Sequence, residues 1–256
     1  YLGLLKSVLG YVDTENYTYG ELFNEINANT GGINCGVEVF DRADSTEEFQ
    51  AMFSVRGKAL YTKMDFLFKM IGEILNSSKL EDTKRLYEIV ASVKSRAQVN
   101  LTGAGHSTAV LRAAAYSSPM AAFQDEMAGI GYYQFIEKLE KDFEQRKEET
   151  VEELCKLMKK ILRPENFMIS YTGERESLET VQKLAGTVKA GLGTEPVEKS
   201  KEKLTCTKKN EGFKTSGQVQ YVAQTGNFKK KGLEYTGALE ILKVILSYDY
   251  LWMNLR

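Results

Sequence analysis

The sequence has few of the residues that build disulfide frameworks, metal centres and loop-rich folds. Its 256 residues include three cysteines, one histidine and three prolines. Cys35, Cys155 and Cys206 lie far apart, and an odd number of cysteines cannot close a disulfide framework. We therefore expect a reducing compartment and a cytoplasmic location. Scarce proline, together with 14 Tyr and 12 Phe, predicts long helices and well-filled strands.

A strong charge of one sign and a long hydrophobic run are also missing. The 34 Lys and Arg residues nearly balance the 35 Asp and Glu residues, which leaves a formal charge of -1. We therefore expect neither nucleic acid nor a membrane as a partner, because no field of one sign attracts them. No window approaches the roughly 20 consecutive apolar residues that a spanning helix needs. With 43% hydrophobic and 27% charged residues, the composition is that of a folded chain.

Short catalytic motifs are absent as well. There is no G-x-x-x-x-G-K-S/T phosphate loop and no G-x-S-x-G nucleophile elbow. The single histidine, His106, stands at a predicted helix start, where we expect it to pack, and one imidazole cannot build a His-rich zinc site. Gly103 and Gly105 lack the third glycine of a dinucleotide fingerprint, because Thr108 stands in its place. Residue chemistry alone predicts a non-catalytic α+β chain without catalytic or metal-ligating residues.

The first part of the chain carries clear helix and strand signals. Thr18-Tyr19-Gly20-Glu21 is a capping box that opens a helix ending at Gly31-Gly32. Residues 33–41 and 50–57 alternate in hydrophobicity and predict two antiparallel neighbouring strands. From Lys58 the period is helical for about a hundred residues, with breaks that leave about five helices.

The second part mixes strand, linker and helix signals. Alternation over residues 167–172 predicts a strand, and a helix follows to about Lys189. Residues 193–202 read as a surface linker, residues 218–224 as a strand, and a long helix begins near Tyr235. Strands, then many helices, then strand and helix again is an α+β order, unlike the regular alternation of a doubly wound sheet.

Both ends of the sequence fall inside helical patterns. Tyr1 precedes an apolar helical stripe without an N-cap, and Leu255-Arg256 ends the sequence while the helical period still runs. From the sequence we therefore expect a piece of a larger protein.

Several motifs in order along nearly the whole chain resemble the C-terminal half of the presequence protease branch of the pitrilysin/insulinase zinc metallopeptidases. The motifs are Tyr17-Thr18-Tyr19-Gly20-Glu21-Leu22 with Thr30-Gly31-Gly32-Ile33, Val55-Arg56-Gly57-Lys58, Gly105-His106-Ser107-Thr108-Ala109, Gly129-Ile130-Gly131-Tyr132-Tyr133 with Phe135, and Tyr250-Leu251-Trp252 with Leu255-Arg256.

The resemblance implies a protein of four homologous α+β domains, each an antiparallel sheet packed on helices. Two halves of such a protein close around a peptide. Residues 1–192 would form the third domain without its first strands, residues 193–202 a linker, and residues 203–256 the beginning of the fourth domain. The implied partners are the N-terminal catalytic half of the same polypeptide and unfolded peptide substrates.

The family's zinc motif implies where the chemistry lies. H-x-x-E-H on a helix places two imidazoles on zinc and a glutamate near the bound water, and it belongs to the first domain. The helix from Tyr1 to Gly10 corresponds to it in the third domain, with Leu2, Leu5 and Lys6 where His, Glu and His would stand. The resemblance therefore implies zinc in the parent protein, bound by its N-terminal half, and no zinc in this chain.

The resemblance implies one substrate-binding residue in this chain, the alternative being an ordinary surface arginine at the end of the sequence. Arg256 matches an arginine that follows the Leu-Trp motif and holds the substrate near zinc, while its companion tyrosine falls outside this sequence. A guanidinium is suited to gripping a peptide carbonyl or a developing oxyanion.

Two functions from different classes remain open at this point. The first is a non-catalytic C-terminal half of a zinc metalloendopeptidase that degrades unfolded peptides, forming one wall of a closed chamber and inactive by itself. The alternative is a non-enzymatic scaffold or interaction module derived from the same fold.

Overall fold

The computed structural model describes residues 1–42, 44–197, 204, 206–215 and 218–255. These residues form helices around one small sheet. The elements in chain order are α1 Leu2–Val8, α2 Tyr19–Asn29, β1 Ile33–Asp41, β2 Phe49–Gly57, α3 Met64–Ser77, α4 Thr83–Gly103, α5 Gly105–Ala115, α6 Pro119–Ala128, α7 Ile130–Lys141, α8 Phe143–Ile161, α9 Leu178–Ala190, α10 Gly237–Ile245 and α11 Leu251–Leu255.

The capping box at the start of α2 is confirmed. The Thr18 hydroxyl accepts a hydrogen bond from the Glu21 amide at 3.3 Å, and the Glu21 carboxylate accepts one from the Thr18 amide at 2.9 Å. After α2 the backbone of Gly32 adopts a φ of 105°, which a side chain would oppose. The chain can thus turn directly from α2 into β1.

The two predicted strands and their antiparallel pairing are also confirmed. They pair from Ile33 opposite Gly57 to Asp41 opposite Phe49. Cys35 and Val55 lie opposite each other and pack against the hydrophobic core, so one face of the sheet is covered. Burial raises the pKa of Cys35 to about 12, which keeps this thiol protonated.

Helix α1 lies at the centre of the hydrophobic core. It contacts β1, α4, α6 and α8, and Leu4, Leu5 and Val8 have no exposed surface. A short helix of 7 residues holds its place through this burial, because helices of this length are not stable in isolation. Side chains from α3, α4, α7 and α8 complete the core around it: Met70, Ile74, Leu86, Val90, Ile136, Leu139, Phe143 and Leu154.

Six helices, α3 to α8, lie between the sheet and residue 163 instead of the five or so predicted, because a boundary that was not predicted separates α7 from α8 at Asp142. Asp82 caps α4 by accepting a hydrogen bond from the Arg85 amide at 3.0 Å. Ser118 caps α6 in the same way, and Pro119 occupies the first helical position, where its missing amide costs nothing. Mostly helical structure with one two-stranded antiparallel sheet among the described residues is compatible with the α+β class.

The structure corrects the strand predicted over residues 167–172. This segment lies outside any strand, with Met168 70% and Ile169 42% exposed. Alternating side chains fit an extended backbone, but a strand exists only when a neighbour supplies hydrogen-bond partners. Among the described residues none supplies them here. The helix predicted next is confirmed as α9.

A strand over residues 218–224 is likewise wrong. The segment is irregular, and Val222 is 85% exposed. The helix predicted near Tyr235 is confirmed as α10 and α11, joined by a π-helical turn, Leu246–Tyr250. Its apolar residues are exposed, Ile241 to 65% and Trp252 to 53%. The beginning of a fourth domain at residue 203 stays a prediction.

The predicted linker lies only partly within the described residues. Leu192, just before it, is buried against the helices, and the Glu195 carbonyl accepts a hydrogen bond from the Arg163 guanidinium. Residues 198–202 lie outside the described residues. Among the described helices, none combines the length and hydropathy of a bilayer-spanning segment.

Candidate functional site around Arg112 and Asp125

The residues that the family resemblance places at the zinc position pack into the fold. Leu5 has no exposed surface, and Leu2 lies at the edge of the hydrophobic core. Both contact apolar neighbours, which matches the packing role expected for this helix.

Lys6, the third of these residues, ties α1 to the chain near α7. Its ammonium donates a hydrogen bond to the Met127 carbonyl at 3.1 Å and lies 5.8 Å from the centre of the Tyr132 ring. The Tyr132 hydroxyl in turn donates to the Gly3 carbonyl at 2.8 Å. Burial lowers the pKa of Lys6 and raises that of Tyr132 to about 12. These two side chains fix the position of α1 against α6 and α7.

A buried carboxylate joins α6 to α7. Asp125 is 1% exposed, and its two oxygens accept hydrogen bonds from the Ile130 amide at 3.0 Å and the Gly131 amide at 3.1 Å. These amides open α7, where the helix dipole also favours negative charge. The Arg112 guanidinium of α5 donates to the same carboxylate at 2.6 Å, so the buried charge is neutralised.

Two glycines make room for this carboxylate. A Cβ atom at Gly129 would lie less than 3.0 Å from one Asp125 oxygen, and a Cβ atom at Gly131 would lie 2.8 Å from the other. Both distances are shorter than real Cβ contacts. The Gly-x-Gly pattern therefore has a local cause, the close approach of the α7 backbone to Asp125.

Arg112 also reaches the chain beyond the linker. Its Nε donates to the Glu211 carboxylate at 2.9 Å, and the Tyr116 hydroxyl donates to the same oxygen. Burial opposes the charge on Arg112, but the hydrogen bonds to Glu211 and Asp125 outweigh burial and raise the pKa of Arg112. The hydrogen bond from Arg112 lowers the pKa of Glu211. The Arg112 guanidinium thus binds two carboxylates from separate parts of the chain.

An open cleft of about 510 Å³ lies at the turn between α5 and α6. Residues from the end of β1, the turn between α5 and α6, and the chain beyond the linker line it: Asp41, Ser117, Ser118, Asn227, Phe228 and Tyr235. The lining of the cleft combines hydroxyl, amide and aromatic groups.

Sequence comparison adds to this geometry. The family model described as peptidase M16 (subfamily C) associated matches residues 1–139, more than half of the chain. The chain belongs to this peptidase-associated family.

Three relatives are similar to this chain over 95% or more of its length. Protein HypA of Clostridium perfringens is 35% identical over 256 residues, which are 100% of this chain and 26% of that protein. Presequence protease 1, chloroplastic/mitochondrial, of Arabidopsis thaliana is 26% identical over 95% of this chain and 22% of that protein. The mitochondrial presequence protease of Yarrowia lipolytica is 26% identical over 100% of this chain and 26% of that protein.

The chain therefore spans about a quarter of the length of these relatives. The resemblance to presequence proteases is confirmed, and the similarity is to a C-terminal region of M16 peptidases of this kind.

The structure places the other residues singled out in the sequence as follows. His106 is the second residue of α5, exposed, with its ring centre 6.2 Å from that of Tyr221. Its position at a helix start agrees with the prediction, but the side chain is exposed rather than packed into the core, with the Tyr221 ring as its aromatic neighbour. Arg256 lies outside the described residues. Among the described residues, no group of three or more His, Cys, Asp or Glu side chains is arranged to hold a metal ion.

Sequence reasoning missed the centre formed by Arg112, Asp125 and Glu211. The signal that could have found it is the Gly-x-Gly step at the start of α7 with an aspartate just before it, because a carboxylate at a helix start accepts the free amides. Arg112 and Glu211, 99 residues apart, carried no comparable signal.

Adding a methyl group at Gly131 is expected to destabilise the fold. Gly131→Ala forces the buried Asp125 carboxylate away from its donors, which should lower the free energy of unfolding by about 1–3 kcal/mol. The matched control is Gly186→Ala in α9, where a Cβ atom meets nothing within 4 Å. That change should stabilise by up to about 1 kcal/mol, because alanine is the better helix former. Urea unfolding measures both, and equal effects of the two substitutions would contradict the role of Asp125.

Proposed function

We propose that this chain is the non-catalytic part of a zinc-dependent peptidase, contributing one wall of a closed chamber that holds unfolded peptides. The observation that supports this best is its similarity to presequence proteases over 95% or more of the chain. In this proposal residues 1–192 are the third domain, residues 193–202 a linker and residues 203–256 the start of the fourth domain, in a cytoplasmic protein.

The packing of α1 supports a non-catalytic role. A zinc helix must leave its imidazoles and glutamate open to water and substrate. In α1, Leu5 is covered on all sides and Lys6 is bonded to a backbone carbonyl. This helix serves the stability of the domain.

The polar groups near α1 are also committed to structural contacts. Asp125 accepts from two amides and Arg112, while Glu73 accepts from the backbone and side chain of Asn16 at 3.1 and 3.2 Å. Buried carboxylates saturated in this way are poor general bases. The reaction would accordingly take place on the N-terminal half of the parent protein, where an H-x-x-E-H helix would hold zinc and activate water.

Mixing the two halves tests this assignment. Hydrolysis of a quenched fluorescent peptide is measured with this chain alone, with the separately expressed upstream half alone and with their mixture, zinc being present. We expect cleavage in the mixture, loss of cleavage with a chelator and recovery when zinc is added back. Each half alone should be far less active.

Two results would contradict the proposal. Cleavage by this chain alone would show an active site in it. If the mixture binds peptide but never cleaves it, and the upstream half carries no H-x-x-E-H motif, the alternative of a non-enzymatic scaffold module would be established.

Arg256 is proposed to hold the substrate near zinc from this side of the chamber. In the parent protein, Arg256→Ala should lower kcat/KM by roughly a hundredfold, the usual loss when one donor to a developing oxyanion is removed. The control is Arg175→Ala, which removes an exposed arginine of a 3₁₀ turn. Steady-state kinetics that separate kcat from KM show whether the loss lies in the transition state or in substrate binding. Equal kinetics for the two variants would remove Arg256 from the substrate site.

A further inference from the structure

The chain beyond the linker lies on the helices α5 and α6 through side chains. Glu211 bonds to Arg112 and Tyr116, and the Phe213 ring lies 5.7 Å from the Arg112 guanidinium. Further on, the Tyr221 ring covers Gly105, where a Cβ atom would come within 3.0 Å of it. We call residues 1–192 the helical body. Over residues 206–214 and 218–227, no backbone-to-backbone hydrogen bond to the described part of the helical body is found.

The two carboxylates on Arg112 differ in how well they are held. Asp125 has a side-chain exposure of 2%, and two backbone amides bind it in addition to Arg112. Glu211 has a side-chain exposure of 26%, and its donors are the side chains of Arg112 and Tyr116. If Glu211 leaves, the buried pair of Arg112 and Asp125 stays intact. The buried charge of Asp125 is therefore neutralised by Arg112 whether or not Glu211 is bound.

The aromatic contacts of the segment are shallow. Phe213 and Tyr221 each keep 43% of their surface exposed while in contact with the body. Such partial burial contributes little hydrophobic stabilisation, so the bonds to Glu211 are the main polar attachment around Phe213, while Lys230 forms a separate ion pair with Glu47 at 2.6 Å further along the chain. A segment with few buried contacts and no backbone ladder belongs to the part of a protein that opens locally.

We propose that the face of α5 and α6 centred on Arg112 is a docking site for a short acidic–aromatic chain segment, occupied here by Glu211 to Phe213, and that this segment can leave the site while the helical body stays folded. The proposal is independent of the peptidase function. It assigns to Arg112 a second role, that of holding the chain beyond the linker against residues 1–192.

Alkylation of cysteines in the full chain tests the proposal. Cys206 precedes the docked segment by a few residues and is half-buried, whereas Cys35 in β1 and Cys155 in α8 lie within residues 1–192. The native protein is labelled with iodoacetamide, and mass spectrometry of the three cysteine peptides gives the alkylation rate of each cysteine. Faster alkylation of Cys206 alone reports local release of the segment, whereas faster alkylation of all three reports unfolding of the body. Burial raises the pKa of Cys206, and all variants are labelled at one pH so that rates are comparable.

In the Glu211→Gln variant, iodoacetamide should alkylate Cys206 about three- to tenfold faster than in the wild type, because a charged hydrogen bond to Arg112 is lost. Glu211→Arg should accelerate it further by repelling Arg112. The labelling rates of Cys35 and Cys155 should stay unchanged in both variants. The matched control is Lys214→Gln, which removes the charge of an exposed lysine next to Phe213 and should leave the Cys206 rate unchanged.

Either of two results would overturn the proposal. One is an unchanged rate at Cys206 in both Glu211 variants, which would mean that Arg112 does not hold the segment. The other is equal acceleration at all three cysteines, which would mean that the segment leaves only when the body unfolds.

Discussion

The buried carboxylate of Asp125 is the constraint on which the helical part of this structure depends. A charge removed from water must find partners, and Asp125 finds them in the first amides of α7 and in Arg112 of α5. The three helices α5, α6 and α7 are thereby fixed to one another at a single point. The two glycines at the start of α7 follow from this contact, since the backbone must come close to the carboxylate.

Arg112 extends the same contact to the chain beyond the linker. Different N–H groups of its guanidinium bind the two carboxylates, one nitrogen donating to Asp125 and another to Glu211. The fork of an arginine suits this arrangement because its donors are fixed in a plane, whereas a lysine would offer a single point charge. The stability of the helical body and the attachment of the following segment therefore meet in one side chain.

The central position of α1 links the fold to its family. Under the proposed function, the helix that corresponds to α1 in the N-terminal half of the parent protein would carry the zinc motif, whereas α1 itself holds buried leucines and a hydrogen-bonded lysine. A helix of this kind can become part of the core once its polar residues are no longer required by chemistry. Lys6 and Tyr132 then hold the helix in register against α6 and α7.

Local signals in the sequence were sufficient for most elements. Each of these signals depends on neighbours within a few residues and can therefore be recognised in a single sequence. Examples are the capping box at Thr18, both strands and four of the breaks between the helices. The alternation over residues 167–172 and 218–224 led to a wrong prediction because a strand needs a partner that the pattern itself does not contain. The contact between Arg112 and Glu211 depends on long-range folding, and no pattern of spacing predicts it.

The most direct measurement of this account is the free energy of unfolding of Asp125→Asn compared with the wild type, by urea denaturation. The substitution keeps the size of the side chain but replaces one carboxylate oxygen by an amide group that cannot accept from Arg112 or the α7 amides, and the account predicts a loss of roughly 1–3 kcal/mol. Asp65→Asn, at an exposed position in the first turn of α3, should change stability by less than about 0.5 kcal/mol. An Asp125→Asn protein as stable as the wild type would show that the helices are held together without this carboxylate.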